Sequence, residues 1–303
     1  MDKSIISMVF ASPVDCGKST TAGHLLYKLN VFNDDEFRQS EKKAIDNKMP
    51  TWKYAYLLDV MEEEQIHGKT KDYSEYSFDY NEKKYLIVDT PGHQSLVRNM
   101  INGCSSVDIG LFIVSCKPNE YQNCLNDIEH LAILKCLGAQ SVVVLLNKWD
   151  IRDDSVSLET IQNQVKVILK KSGFKQIYFC CISGYLGCNL ITNDSTYPTP
   201  CLMNIIDSID ITKKVSLSYK TNKLVLSGVV IGTKLLTAGY SVVVHGGGTN
   251  KEFQVEIENI QPKCFARPNE KCIITIIFQF EETFANNRFI LRDANETLFI
   301  GVV

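Results

Sequence analysis

Five short apolar runs recur along the first two-thirds of the chain: SIISMVF (4–10), YLIVD (85–89), IGLFIV (109–114), VVVLLN (142–147) and IYFCCIS (177–183). They are rich in β-branched residues and do not alternate with polar ones, so each predicts a strand covered on both faces. Longer segments between them predict helices over about 18–29, 95–103, 124–137, 156–172 and 200–209. Buried strands alternating with helices make an α/β domain, a parallel sheet covered by helices. The polar stretch 30–75 reads as a long connection of the kind that carries function. After about residue 212 the period changes to two. KLVLSGVVI, SVVVHGGG, FQVEIENI, CIITIIFQF and LFIGVV alternate and are separated by turn residues, which predicts a small all-β barrel or sandwich. The expected division is 1–211 and 212–303, with the linker near IDITKKVS.

Several of these runs end on residues with phosphate or base chemistry. After the first comes VDCGKSTTAGHLL (14–26), the later half of the pattern G-x-x-x-x-G-K-S/T. Backbone N–H groups from Val14, Asp15, Cys16, Gly17, Lys18, Ser19 and Thr20, at the start of a helix, favour phosphate oxygens. Lys18 is expected to reach the β- and γ-phosphates, and the Ser19 hydroxyl to coordinate Mg²⁺. Taken alone, G-K-S-T can also be an ordinary helix start. The first glycine slot holds Ser12, followed by Pro13. Ser12 is small enough to take a tight turn at modest cost, and Pro13 removes an N–H that need not serve a phosphate.

The second run closes on DTPGH (89–93). There Asp89 is placed to hold Mg²⁺ through water, Gly92 to offer an N–H to the γ-phosphate, and His93 to orient the attacking water. The fourth closes on NKWD (147–150). A carboxylate at Asp150 accepts from N1–H and the 2-amino group of guanine, a pairing adenine cannot offer, and Asn147 and the Lys148 stem complete the base pocket. ISGY (182–185) fits a loop whose backbone at Ser183, Gly184 and Tyr185 supports the base. A lone N-K-x-D is weak. Three motifs in order, each at the C-terminal end of a predicted strand, predict a guanine-nucleotide site.

Composition narrows the partners. A net charge of −3 and 22% charged residues exclude nucleic-acid binding by bulk charge, and no direct sequence-specific nucleic-acid contact is expected. The 11 cysteines are odd in number and contain no C-x-x-C pair, which favours buried thiols over a disulfide or zinc framework. The opening MDKSIISMVFAS is too quickly polar for a signal peptide, and no apolar run approaches a membrane span, so a cytoplasmic protein is expected. Structural roles are expected for His24, His67, His130 and His245. Trp149 is expected to pack against the pocket wall, EEE (62–64) to be a solvated face, and DYSEYSFDY (72–80) to be a half-buried strand.

VDCGKSTTAGHLLYKL, WKYAYLLD, DTPGHQSLVRNMINGCSSVD and ISGYLGCNL resemble the translational GTPases of the elongation factor 1-alpha group over essentially the whole first domain. EEEQIHGKT (62–70) and GHQSLVRNMI (92–101) look most like the GTP-binding subunit of eukaryotic peptide-chain release factor. The related ribosome-rescue GTPases usually carry G-V-T where this chain has G-K-T. The resemblance implies GTP/GDP and Mg²⁺ as cofactors, Thr70 closing over the γ-phosphate with Ser19 and Asp89 on the metal, and hydrolysis by His93 on the ribosome. Lys69 replaces an apolar residue that in elongation factors helps fence off the histidine, which implies slow hydrolysis until partner and ribosome position it. LLTAGYSVVVHGG and NRFILRDANETLFIGVV resemble the start and end of the group's third domain, the docking surface for a tRNA-shaped class I release factor or its rescue paralogue. Between Asp210 and Lys223 there is no room for the usual second barrel of roughly 80–100 residues, so the resemblance implies a compacted chain, which is expected to lack the release factors' N-terminal extension as well. The alternatives are ribosome rescue, or a partner-binding pseudo-GTPase that does not hydrolyse.

Overall fold

The computed structural model describes residues 5–303 apart from 14, 59–73, 90–106, 119, 125–130, 132–133, 136–137, 153, 155, 212–217, 248, 286 and 295. The helix expected over 95–103, most of that over 124–137, and the EEE run, His67 and His130 therefore lie outside the described residues.

A six-stranded sheet in the order β2-β3-β1-β4-β5-β6 forms the first unit. It comprises β1 (Ile5–Ala11), β2 (Ser74–Tyr80), β3 (Lys83–Asp89), β4 (Ile109–Ser115), β5 (Ser141–Asn147) and β6 (Gln176–Cys181). Every residue of β4 and β5 is buried, as the unbroken apolar runs require. Five strands are parallel; the edge strand β2 runs antiparallel to β3. Its connection is the two-residue turn Asn81–Glu82, both at positive φ, and a turn that short can only join antiparallel neighbours. Alternation in β2 buries Tyr76 and Phe78 and leaves Glu75 and Ser77 exposed.

Helices of this unit among the described residues include α1 (Lys18–Lys28), α2 (Asp34–Asp46), α3 (Tyr121–Cys124), α4 (Leu158–Lys171) and α5 (Leu202–Asp207). The stretch 30–75 is thus not simply a connection, because α2 lies in it. Its start is a capping box: the Asn33 side chain accepts from the N–H groups of Asp35 and Glu36, and Glu36 accepts from the Asn33 N–H at 2.6 Å. The helix buries only Ser40 and Ala44, so hydrophobic spacing carries no sign of it. Asp207, at the end of α5, accepts from Asn81 and Tyr85 and pairs with Lys83, fastening the helix to the β2–β3 hairpin.

The second unit is a closed barrel in the order β10-β12-β7-β14-β13-β9. Its strands are β7 (Tyr219–Val230), β9 (Ser241–Gly246), β10 (Thr249–Gln261), β12 (Lys271–Phe284), β13 (Arg288–Arg292) and β14 (Thr297–Val302); β8 (Leu236–Thr237) and β11 (Phe265–Ala266) form a separate ribbon. Phe253, Phe278, Phe284 and Phe289 pack at the barrel centre, mostly edge to face. On the outer face, Ile290 and its cross-strand neighbour Ile300 pack against the core of the sheet unit, and the Arg288 side chain lies against Gly138, just ahead of β5. Burying Ile290 there stabilises the docking by about 1.5–3 kcal/mol. The barrel thus meets the sheet at its N-terminal edge. Among the described residues, no helix is long and apolar enough to cross a membrane.

Strands β7 and β14 approach closely at Gly228, where a Cβ would fall 2.0 Å from the Ile300 carbonyl oxygen and 2.6 Å from Gly301 Cα. Neither obstacle is a side chain that can turn away. Gly228→Ala is expected to cost about 1–3 kcal/mol or more, read as a lower urea midpoint of the barrel; an unchanged midpoint would contradict this seam.

Candidate functional site

The loop from β1 to α1 lies at the C-terminal edge of the sheet. Asp15 (φ 63) and Gly17 (φ 90) take left-handed backbone conformations, whereas Ser12 does not. The position where the motif has a glycine and this chain has serine therefore needs no glycine torsion, and the buried Ser12 is accommodated. The left-handed turn falls instead on Asp15, a residue type that tolerates it. Helix α1 begins at Lys18 with no acidic residue in its first turn, so the positive end of its dipole is uncompensated and suits an anion. Lys18, Ser19 and Thr20 are half-buried there. β1 pairs with β3 at Val9 and Val88, which ends β3 at Asp89 beside this loop. An acid at that strand end and a hydroxyl at the helix start suit a divalent cation next to phosphates. The Asp89 side chain, with Val14, Thr70, Gly92 and His93, lies outside the described residues.

Asn147, the last residue of β5 and only 3% exposed, joins two loops. Its Nδ2 donates to the Cys16 carbonyl at 2.8 Å, and its Oδ1 accepts from the Gly184 N–H at 2.8 Å. A Cβ at Gly17 would sit 2.6 Å from the same Nδ2, so glycine there is demanded by space as well as by φ. Lys148, at φ 60, extends along the loop and donates to the Asp15 carbonyl at 2.8 Å. Beyond it Trp149 is buried and covered by the Arg152 guanidinium 4.7 Å from its ring, the packing role expected of it. Asp150 stands exposed beside it. Ser183 is buried and its carbonyl accepts from Gly187 at 2.8 Å, which curls the loop so that Tyr185 projects, 45% exposed.

Two residues of this constellation carry no sequence signal. Glu120 accepts from Lys148 at 2.6 Å and from the Ser115 hydroxyl at 2.7 Å, and pairs with Lys117 at 2.9 Å. It lies in a turn after β4, where no motif marks it. Burial pushes its carboxyl up, but the hydrogen bonds from Lys148, Ser115 and Lys117 outweigh this and bring it down to about 2. The second is His24, on α1. Its Nδ1 lies 2.9 Å from the Gly184 carbonyl, which only accepts, so the proton sits on Nδ1. The ring stacks on Tyr54 at 3.7 Å, and burial lowers its basicity to about 4, keeping it neutral. Its role is structural, as expected, and it is exercised on the Gly184 carbonyl within the site.

A phosphate-loop helix, an Asn–Lys pair reaching back onto that loop and a backbone loop beyond it form one edge of the sheet. The elongation factor Tu GTP binding domain family matches residues 3–231. The chain belongs to that family. Within this family of translational GTPases it is 33% identical over 218 residues to elongation factor 1-alpha of Entamoeba histolytica, covering 69% of this chain and 49% of that protein. Elongation factor 1-alpha 1 of Euplotes crassus is 32% identical over 225 residues, covering 70% and 51%. The chain spans about half the length of the curated relatives it matches. In fold it is similar to the GTPase-like domain of S. cerevisiae Ski7, solved bound to GTP, with a TM-score of 0.75, 14% identity and coverage of 99% of this chain and 97% of that one.

Two outcomes follow from this geometry. Asn147→Ala leaves the buried Gly184 N–H and Cys16 carbonyl unpaired, an expected loss of about 1–3 kcal/mol for each, measured by urea unfolding; full retention of stability would remove Asn147 as the joint. The Glu120 carboxyl is held below its ordinary value of 4.5, so its stabilisation is complete above that pH and fades as pH falls toward about 2. Glu120→Gln is therefore expected to flatten the stability–pH curve in that window, and an identical curve would refute the pairing.

Proposed function

We propose that this chain is a GTP-hydrolysing translation termination factor that brings a tRNA-shaped class I release factor to the ribosome at stop codons. The observation that carries the nucleotide reading is Asn147 joining the phosphate loop to the 183–185 loop, with Lys148 on the Asp15 carbonyl and Asp150 exposed beside them. That arrangement leaves Asp150 to accept from guanine while the loop N–H groups and Lys18 take the phosphates. The GTP bound to the Ski7 domain of like fold is consistent with this.

In this reading residues 1–211 bind nucleotide. Ser19, Thr70 and Asp89 would hold Mg²⁺, which neutralises phosphate charge when bound. His93 orients the attacking water. Residues 212–303 act as the third-domain barrel, joined to the GTPase unit with no second barrel between them. Val225, Ile273, Ile277 and Phe280 stand exposed on β7 and β12, and apolar surface of that kind supports a protein partner on the barrel. The G-K-T at 68–70 and GHQSLVRNMI at 92–101 favour the release factor over the rescue factor as that partner.

Titration of a fluorescent GTP analogue with Mg²⁺, alone and with each partner, tests the reading. A partner that favours the GTP state tightens nucleotide by the factor that nucleotide tightens the partner. Tightening by the class I release factor is expected. Tightening by the rescue factor alone would move the protein to stalled ribosomes, and no saturable binding would end the nucleotide reading. His93→Ala is expected to slow ribosome-stimulated phosphate release ~10²-fold or more; an unchanged rate would sink the catalytic assignment of His93.

A further inference from the structure

Cys16 lies within the phosphate loop and Cys124 ends α3, 108 residues away in sequence, yet their sulfur atoms are 3.1 Å apart. Both thiols are buried. The Ser115 N–H points at the Cys124 sulfur from 3.4 Å, and Lys148, which reaches the Asp15 carbonyl, adds positive charge nearby. These two favour the charged sulfur, while the Glu120 carboxylate, paired with Lys148 at 2.6 Å, opposes it, and the Cys124 thiol reaches the Glu120 carbonyl at 3.5 Å. The hydrogen bond from Cys16 lowers the Cys124 thiol below its ordinary value, although burial opposes it. The same hydrogen bond, helped by burial, pushes the Cys16 thiol up. The pair therefore sets a Cys124 thiol that loses its proton more readily than usual against a second sulfur that can resolve its oxidation.

We propose that Cys16 and Cys124 form an oxidation site at which a peroxide closes a disulfide across the phosphate loop and lowers nucleotide affinity. The Cys124 thiolate attacks one peroxide oxygen, the O–O bond breaks, and Cys124 becomes a sulfenic acid as hydroxide leaves. Cys16 sulfur then attacks the Cys124 sulfur; the S–S bond forms, the S–O bond breaks, and the Cys16 proton departs with the oxygen as water. Two thiol sulfurs lose two electrons, and the peroxide gains them.

The consequence for the loop is geometric. A disulfide holds its sulfurs about 2.05 Å apart, so the pair must close by about an ångström. Cys16 is not loose: its carbonyl is held by Asn147, and Gly17 next to it has no room against the same amide. Drawing Cys16 toward α3 therefore disturbs the Asn147 joint and the phosphate donors on either side of it. Displacements of that size in a positioned site cost up to ~10²-fold. Linkage then makes bound nucleotide favour the reduced pair by the same factor.

This rests on the nucleotide reading above, and the test separates the two. The reduced full chain is treated with hydrogen peroxide, quenched, and divided between non-reducing peptide mapping and titration with a fluorescent GDP analogue. Expected are a linked peptide pair containing Cys16 and Cys124, a dissociation constant raised ~10–100-fold, and recovery with dithiothreitol. Cys124→Ser is expected to keep its untreated affinity through the same exposure. Absence of the linked pair under conditions that oxidise the exposed Cys264 would overturn the site. A linked pair with unchanged affinity would overturn its coupling to nucleotide. A reduced chain that binds no nucleotide would overturn the earlier reading instead, and the linked peptide would still decide the oxidation site.

Discussion

One side-chain amide holds the nucleotide edge together. Asn147 donates to the loop after β1 and accepts from the loop after β6, while its own backbone ends β5 between them. An amide can do this because it carries a donor and an acceptor on one rigid plane; a carboxylate or an ammonium carries only one of the two. The glycines around it follow from the same contact. Gly17 passes too close to Nδ2 for a side chain, and a Cβ at Gly184 would fall 2.2 Å from the Thr21 hydroxyl and 3.2 Å from Asn147 Oδ1.

Around this joint the charges are arranged in one direction. Lys148 lies on a backbone carbonyl of the loop and is held by Glu120, which in turn is held by Ser115 and Lys117. The acid serves as an anchor for the lysine rather than as a competitor for phosphate, because its hydrogen bonds aim it at Lys148. His24 supports the far loop as a neutral donor, so it adds no charge of its own.

The sheet was legible in the sequence because its strands are buried on both faces and leave unbroken apolar runs, and the barrel because its strands alternate. Asn147, Lys148, Ser183 and Gly184 were legible because their motifs end strands. What escaped did so for physical reasons. Helix α2 buries almost nothing, and only its capping box, Asn33 with Glu36, announces it. Glu120 and His24 work through contacts 28 and 160 residues distant in sequence, which no local pattern records. The meeting of Cys16 and Cys124 is of the same kind. Ser12 was legible as a missing glycine, but only the backbone torsions place the glycine-like turn elsewhere, at Asp15.

The last strand of the barrel has two duties that cannot be separated. β14 pairs with β7 along one side and with β13 along the other, so it is the stave that closes the ring. Its Ile300 also stands beside Ile290 in the face that rests on the sheet. Ring closure and part of the seating on the sheet therefore depend on the same strand. With every residue up to Glu296 in its final position, the ring would still be open and the Ile300 contact with the sheet core would still be missing.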